Sequence, residues 1–244
     1  MLSQSDRLIT RAFFLTQLKG LLIIALLLAL SDWGLNDRLD IWLADLFFDV
    51  NAQQFPLKDH WFTATVMHLW LKYLMLALAL GLIVLLLHEL ISKKPKLDTV
   101  QLANLKIIVC AALIIPLLVG ILKALSPIHC PWDLVRYGGS AVEFGFNNSM
   151  SGGKCFPAGH VTSTSWLMAC TFIYLPMHGF KARWVWGLAF SLALMTGWAQ
   201  QMRGAHFLCH TLWSLWLSWL VILALAYYFR GARGNRLAPS YQAL

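Results

Sequence analysis

Stretches without charge, each about as long as a lipid bilayer is thick, recur along this chain and leave it few ways to fold. About 20 apolar residues in a helix cross the ~30 Å hydrocarbon layer, where every backbone N–H and C=O has to be satisfied within the protein. One run extends from about Ala12 to Leu30, and others are centred on Met75–Leu87, Leu105–Leu122, His160–Leu175, Trp184–Ala199 and Phe207–Phe229. The first is followed by Ser31-Asp32-Trp33-Gly34, not by a small-residue cleavage site, so it reads as an uncleaved helix. The pattern predicts an all-α polytopic membrane protein, a single domain over 1–244, with six transmembrane helices in a bundle. The runs near Leu105, His160 and Trp184 are short for free-standing spans and rely on packing against their neighbours. Composition agrees: 12% of the 244 residues are charged and 59% apolar, whereas an ordinary soluble domain is about 25% charged. Five cysteines without a C-x-x-C pair exclude zinc-ribbon and thioredoxin readings.

A formal charge of +8 would turn a soluble protein toward nucleic acid, but here the basic residues gather in particular connections. Arg7 and Arg11 precede the first run, and Lys93, Lys94 and Lys96 follow the second. Lys181 and Arg183 separate the fourth and fifth, while Arg230, Arg233 and Arg236 follow the sixth. In a six-span layout all four groups fall on one side, which the positive-inside rule makes cytoplasmic. The expected location is a bacterial inner membrane, with both termini inside and connections 31–60, 123–159 and 200–206 facing the periplasm. The partners are then the bilayer and a lipid, with no nucleic acid, and the oligomeric state stays open. The stretch from Asp40 to Asp49 has the apolar stripe of an interfacial helix, with Asp40 and Asp45 off that stripe.

Three outward helix ends carry groups able to do chemistry: Lys123 at one, Pro157-Ala158-Gly159-His160 at another, and His206 and His210 at the third, with Arg203 just before them. Taken singly, a lysine at a helix end is an interfacial anchor and a lone histidine is structural. Ionisable groups at membrane depth are costly, however, so their convergence on one face points to function. Proline before Ala158 and Gly159 leaves backbone N–H groups for an anion. His206 and His210, four apart, could begin a zinc site, but no third ligand has the right spacing. We therefore expect no metal and no cofactor. Cys130 and Cys155 share the outward loop, where an oxidising compartment permits a disulfide; Cys110 and Cys170 read as packing residues. Trp61, Trp70, Trp132, Trp184, Trp186, Tyr227 and Tyr228 read as interface anchors.

In order along the chain, these residues resemble the three motifs of the type-2 phosphatidic acid phosphatase superfamily: K-x-x-x-x-x-x-R-P, P-S-G-H and S-R-x-x-x-x-x-H-x-x-x-D. Lys123 to Cys130-Pro131 keeps the first spacing, Pro157 to His160 the second, and Ala199-Gln200 to His206 and His210 the third. Cys130, Ala158, Ala199, Gln200 and His210 stand where the family has Arg, Ser, Ser, Arg and Asp. The resemblance implies a lipid phosphate phosphatase, hydrolysing a phosphomonoester or terminal diphosphate without metal. His206 would be the nucleophile that becomes phosphohistidine, His160 the proton donor and later the base, and Lys123 a phosphate ligand with the Ala158 and Gly159 backbone. Arg203 or Arg136, with Lys154 third, would replace the missing arginines. His210 would orient the nucleophile, and Asp133 would supply negative charge. Phosphatidic acid, phosphatidylglycerol phosphate, polyprenyl diphosphate and lipid A are the implied substrates. A phosphotransferase using the same histidine and a non-catalytic lipid-binding relative are the alternatives.

Overall fold

A computed structural model of the chain describes residues 9–32, 36–142 and 153–231; Arg7, Arg233 and Arg236, counted above toward the cytoplasmic side, lie outside them. The described residues are helical apart from turns and isolated bridges. α1 is Arg11–Asp32 and α2 is Asn36–Asp45. α3 runs from a π-helical stretch, Trp61–Trp70, straight into the α-helix Leu71–Ile91. α4 is Thr99–Leu125. α5 (159–173) is a series of short pieces: a 3₁₀ turn Gly159–Val161, an α turn Thr162–Ser165 and a 3₁₀ helix Trp166–Ile173. α6 is Gly179–Met202 and α7 is Leu208–Arg230.

Four helices among the described residues are long and apolar enough to cross a membrane: α1 over Arg11–Leu30, α3 over Trp61–Ile91, α4 and α7. The expected set of six is thus met in part. The second run begins well upstream of Met75, at Trp61. The fourth is broken into the pieces of α5, and the fifth, α6, has length but carries Lys181 and Arg183 at one end and Gln200 and Gln201 at the other.

Local chemistry explains why α5 is not a regular helix. Thr162 Oγ1 donates to Gly159 O at 2.6 Å, Ser163 Oγ to His160 O at 2.7 Å and Thr164 Oγ1 to Val161 O at 3.3 Å. Hydroxyls that bond back three residues compete with the i→i−4 ladder. Other hydroxyls fasten the segment to its neighbours: Thr164 meets Thr196 of α6 at 3.1 Å, Thr171 donates to Ala182 O at 2.8 Å, and Ser165 meets Ser218 of α7 at 2.7 Å. Around these bonds lies the main apolar core, which includes Ile107, Ile115, Phe172, Ala193 and Ile222, all buried, from α4, α5, α6 and α7. α1 packs on α7, where Trp216 Nε1 donates to Leu21 O at 2.8 Å. Its other faces, with Leu22, Ile23, Leu26 and Leu27, are exposed as in a lipid-facing helix.

A smaller cluster covers one end of the bundle. Ala44 of α2, Phe55, Leu134 and Tyr137 pack there on Phe207 and Cys209. α2 has the two unlike faces that its sequence pattern predicts, with Leu39, Trp42 and Asp45 exposed and Ala44 buried, but Asp40 lies on the inner one. Asp40 is buried, and its Oδ1 accepts from Cys209 N at 3.2 Å, which sets a carboxylate at the N-terminus of α7. Asp45 instead faces Arg136, with Nη2 to Oδ2 at 2.6 Å and Nε to Oδ1 at 3.1 Å.

Candidate active site

The site begins with how α6 ends. Gly204 takes φ +71, a left-handed conformation that suits glycine. Its N–H donates to Gln201 O and Ala205 N–H to Gln200 O, both at 2.9 Å, closing a Schellman turn. Any Cβ at Gly204 would run into the Phe55 ring. This stop sets Arg203 on the last helical turn and drops His206 into the interior, where it is 2% exposed.

Three imidazoles converge there. His206 Nε2 lies 3.2 Å from His160 Nδ1, and His206 Nδ1 lies 3.4 Å from His210 Nδ1. Both His206 and His210 also hydrogen-bond the Cys155 backbone. The arrangement is satisfied when His206 carries its proton on Nδ1, turned toward His210 and Cys155, and keeps the Nε2 lone pair toward His160. Burial, reinforced by His160, His210 and Lys123, holds His206 well below the ordinary histidine range and therefore neutral.

Cations ring the open side of this group. The half-buried Lys123 of α4 passes close to Gly159, where even a Cβ would sit in ordinary contact with it, 3.9 Å from Lys123 Cδ. Arg203 donates from Nε to Lys58 O at 2.7 Å and from Nη1 to Gln200 Oε1 at 2.9 Å, with His68 Nδ1 3.0 Å from Nη1. The His68 ring in turn lies 4.5 Å from the His160 ring, centroid to centroid. Lys123, Arg203 and Lys72 all bear electrostatically on His160.

The structure thus gathers Lys123, Gly159, His160, Arg203, His206 and His210 in one place, as expected from the sequence. It adds two residues that no motif flagged, His68 and Lys72 of α3. Their signal was a histidine and a lysine within a predominantly apolar stretch.

Other expected roles change. Arg136 has its guanidinium engaged by Asp45, and the pair holds the Asp45 carboxyl below its usual range. Asp133 Oδ2 accepts from Cys130 N at 3.1 Å, which caps a turn. Lys154 is exposed, with its backbone tied to Ser126. The Ala158 N–H, expected to be free for an anion, donates to His210 O at 3.3 Å and so fixes the two motif segments to one another.

Cys130 and Cys155 form a disulfide. Cys155 Sγ lies 3.5 Å from His206 Nδ1, directly behind the candidate nucleophile. The two sulfurs and His206 also form a compact group of potential metal ligands, although both sulfurs are committed to one another here.

Comparison with curated proteins finds no match, and comparison with solved structures finds none either. A family model, described as PAP2 superfamily, matches residues 103–233, more than half of the chain. That stretch contains Lys123, His160, His206 and His210, the residues that the fold brings together from α4, from the start of α5 and from the approach to α7. The match and the convergence agree: this chain belongs to the PAP2 superfamily, whose members act on phosphate esters.

Proposed function

We propose that this protein is a lipid phosphate phosphatase that works through a phosphohistidine at His206. The observation that carries the reading is the pairing of the buried His206 with the partly buried His160, 3.2 Å apart, with Lys123 and Arg203 beside them. In the first step His206 Nε2 attacks phosphorus, the P–O bond to the lipid breaks, and His160 delivers a proton to the departing oxygen. In the second, His160 takes a proton from water, whose oxygen attacks the phosphohistidine and releases inorganic phosphate. Lys123 and Arg203 offset the charge on the equatorial oxygens. A phosphoryl group does not fit in a 3.2 Å gap, so substrate binding parts the two imidazoles.

The PAP2 match and the apolar helices support a membrane enzyme. The disulfide beside the site supports a face turned to an oxidising compartment, the periplasm of a bacterial inner membrane, with six crossings that count α5 and α6. The substrate is a phosphomonoester or terminal diphosphate of a membrane lipid.

The test is phosphate release by detergent-purified protein across phosphatidic acid, phosphatidylglycerol phosphate, polyprenyl diphosphate and lipid A. His206→Ala and His160→Ala are the controls. We expect release with at least one lipid, none in either variant, and an acid-labile phosphoprotein in wild type alone. Turnover surviving in His206→Ala would remove the mechanism. Transfer of phosphate to a second lipid without free phosphate would make the enzyme a phosphotransferase.

A further inference from the structure

We propose that reduction of the Cys130–Cys155 disulfide creates a zinc site behind the nucleophile, built from both sulfurs and Nδ1 of His206 and His210, and that zinc bound there silences His206. The ligand atoms of Cys130, Cys155 and His206 already lie within 4.8 Å of one another, and all three residues are buried. His210 brings a fourth donor, its Nδ1 3.4 Å from that of His206. Bond lengths of about 2.3 Å to sulfur and about 2.05 Å to nitrogen give a tetrahedral zinc site edges of about 3.5 Å for S···N and about 3.3 Å for N···N. The protein has 3.5 Å between Cys155 Sγ and His206 Nδ1, and 3.4 Å between the two Nδ1 atoms. Those two edges match a zinc tetrahedron; a covalent S–S bond is too short for one, and reduction is what frees the sulfurs to take up the remaining edges. A Cys₂His₂ donor set is among the commonest for structural zinc.

The chemistry balances simply. A dithiol gives the disulfide two electrons and two protons and leaves oxidised, and zinc then displaces both thiol protons. The consequence for catalysis follows from the imidazole. A neutral ring has one nitrogen with a lone pair and one with a proton. Oxidised, the protein keeps the proton on Nδ1 and the lone pair on Nε2, the nitrogen that faces His160. Zinc on Nδ1 requires the proton on Nε2, so the nucleophilic lone pair is gone. The disulfide would then keep the enzyme active by denying a metal its ligands. The zinc site stands on geometry alone, and only its effect on turnover rests on the phosphatase reading.

The experiment uses the full-length protein in detergent, oxidised or reduced with a water-soluble trialkylphosphine, which becomes its oxide. Zinc alone is titrated and counted after gel filtration, and cobalt serves as a spectroscopic probe. One control is the Cys130→Ser/Cys155→Ser double variant; a second, which needs no mutant to fold, is wild type alkylated at its thiols after reduction. We expect one equivalent of zinc in reduced protein above both controls and none above them in oxidised protein. Cobalt should give a tetrahedral spectrum with thiolate charge transfer. Phosphate release by reduced protein should be lost on adding zinc and return on chelation. Reduced protein that holds no more zinc than the controls overturns the site. One equivalent bound with unchanged phosphate release overturns the silencing. Oxidised, metal-free protein that releases phosphate from no lipid counts against the phosphatase reading, and the zinc titration still decides the site.

Discussion

Arg203 stands three residues past the position where the family motif has its arginine, and its guanidinium is held by Lys58 O, Gln200 and His68. A lysine offers one point of charge and cannot keep that set of bonds. Arg203→Lys should therefore lower phosphate release by on the order of 10³-fold, the scale of a transition-state arginine, at unchanged folding. Turnover near wild type in that variant would leave Arg203 as an anchor. His206 yields a second expectation. Because burial and cationic neighbours keep it neutral, the acid limb of the pH–rate profile should lie well below the ordinary histidine value of about 6.5. The same depression means that its contribution to stability is complete above about pH 6.5 and is lost as pH falls toward the folded-state value. An acid limb at about 6.5 would assign the titration to a solvated histidine. Most of this site was legible in the sequence, since spacing alone pairs Lys123, His160, His206 and His210. His68 and Lys72 were not, because they reach the site from α3, through a packing that no local pattern encodes. The amide of Ala158 was misjudged for the same reason: its acceptor, His210 O, lies 52 positions away.

At the scale of elements, glycine and arginine mark where helices meet and end. At Gly197 of α6 a Cβ would fall onto the Thr211 side chain of α7, so the two helices touch through the absence of a side chain. Gly197→Ala should destabilise by about 1–3 kcal/mol through overpacking, measured as thermal unfolding in detergent; an unchanged melting temperature would show that α6 and α7 can yield. Arg230, at the other end of α7, is buried and donates from Nη1 to Asn104 Oδ1 at 2.8 Å and Phe172 O at 2.6 Å, and from Nη2 to Leu175 O at 2.9 Å. It ties the end of α7 to backbone carbonyls at and just past the C-terminal end of α5. Arg230→Met leaves those acceptors dry and should cost about 1–3 kcal/mol for each group left unsatisfied, in the same assay. Hydropathy marked α1 and α7 to within two residues at each end and α4 apart from its first six and last three residues. It said little about α5, whose Thr-Ser-Thr-Ser run sets its backbone through hydroxyl bonds and not through apolar period. The 3₁₀ geometry also lengthens the segment: at ideal rises its pieces span about 28 Å, close to the hydrocarbon thickness, which a regular helix of that length would miss.

For the whole molecule, the feature with the widest reach is the cover over one end of the bundle. Phe55 sits on Gly204, Trp132 N–H donates to Gly204 O at 3.0 Å, and the cluster of Ala44, Leu134 and Tyr137 closes over Phe207. His206 and His210 are sealed beneath it, while Lys72 of α3 is exposed and Lys123 of α4 half-buried. The flank of the site left accessible is the one with Lys72 and Lys123, on α3 and α4, and on the lipid phosphatase reading it is there that a substrate would enter. On that reading a headgroup entering from there would not pass through bulk solvent, and its density in the plane of the leaflet would set the rate. At fixed total substrate, diluting a lipid phosphate with neutral detergent or phosphatidylcholine should slow turnover in proportion to its mole fraction, and a water-soluble phosphomonoester should be a poor substitute at any concentration. Rates that follow molarity and ignore mole fraction would mean that the cover opens. If the cover stays shut, this is a catalyst for a two-dimensional solution, and selection of its substrate begins with partition into the membrane, before any phosphate oxygen meets a charge.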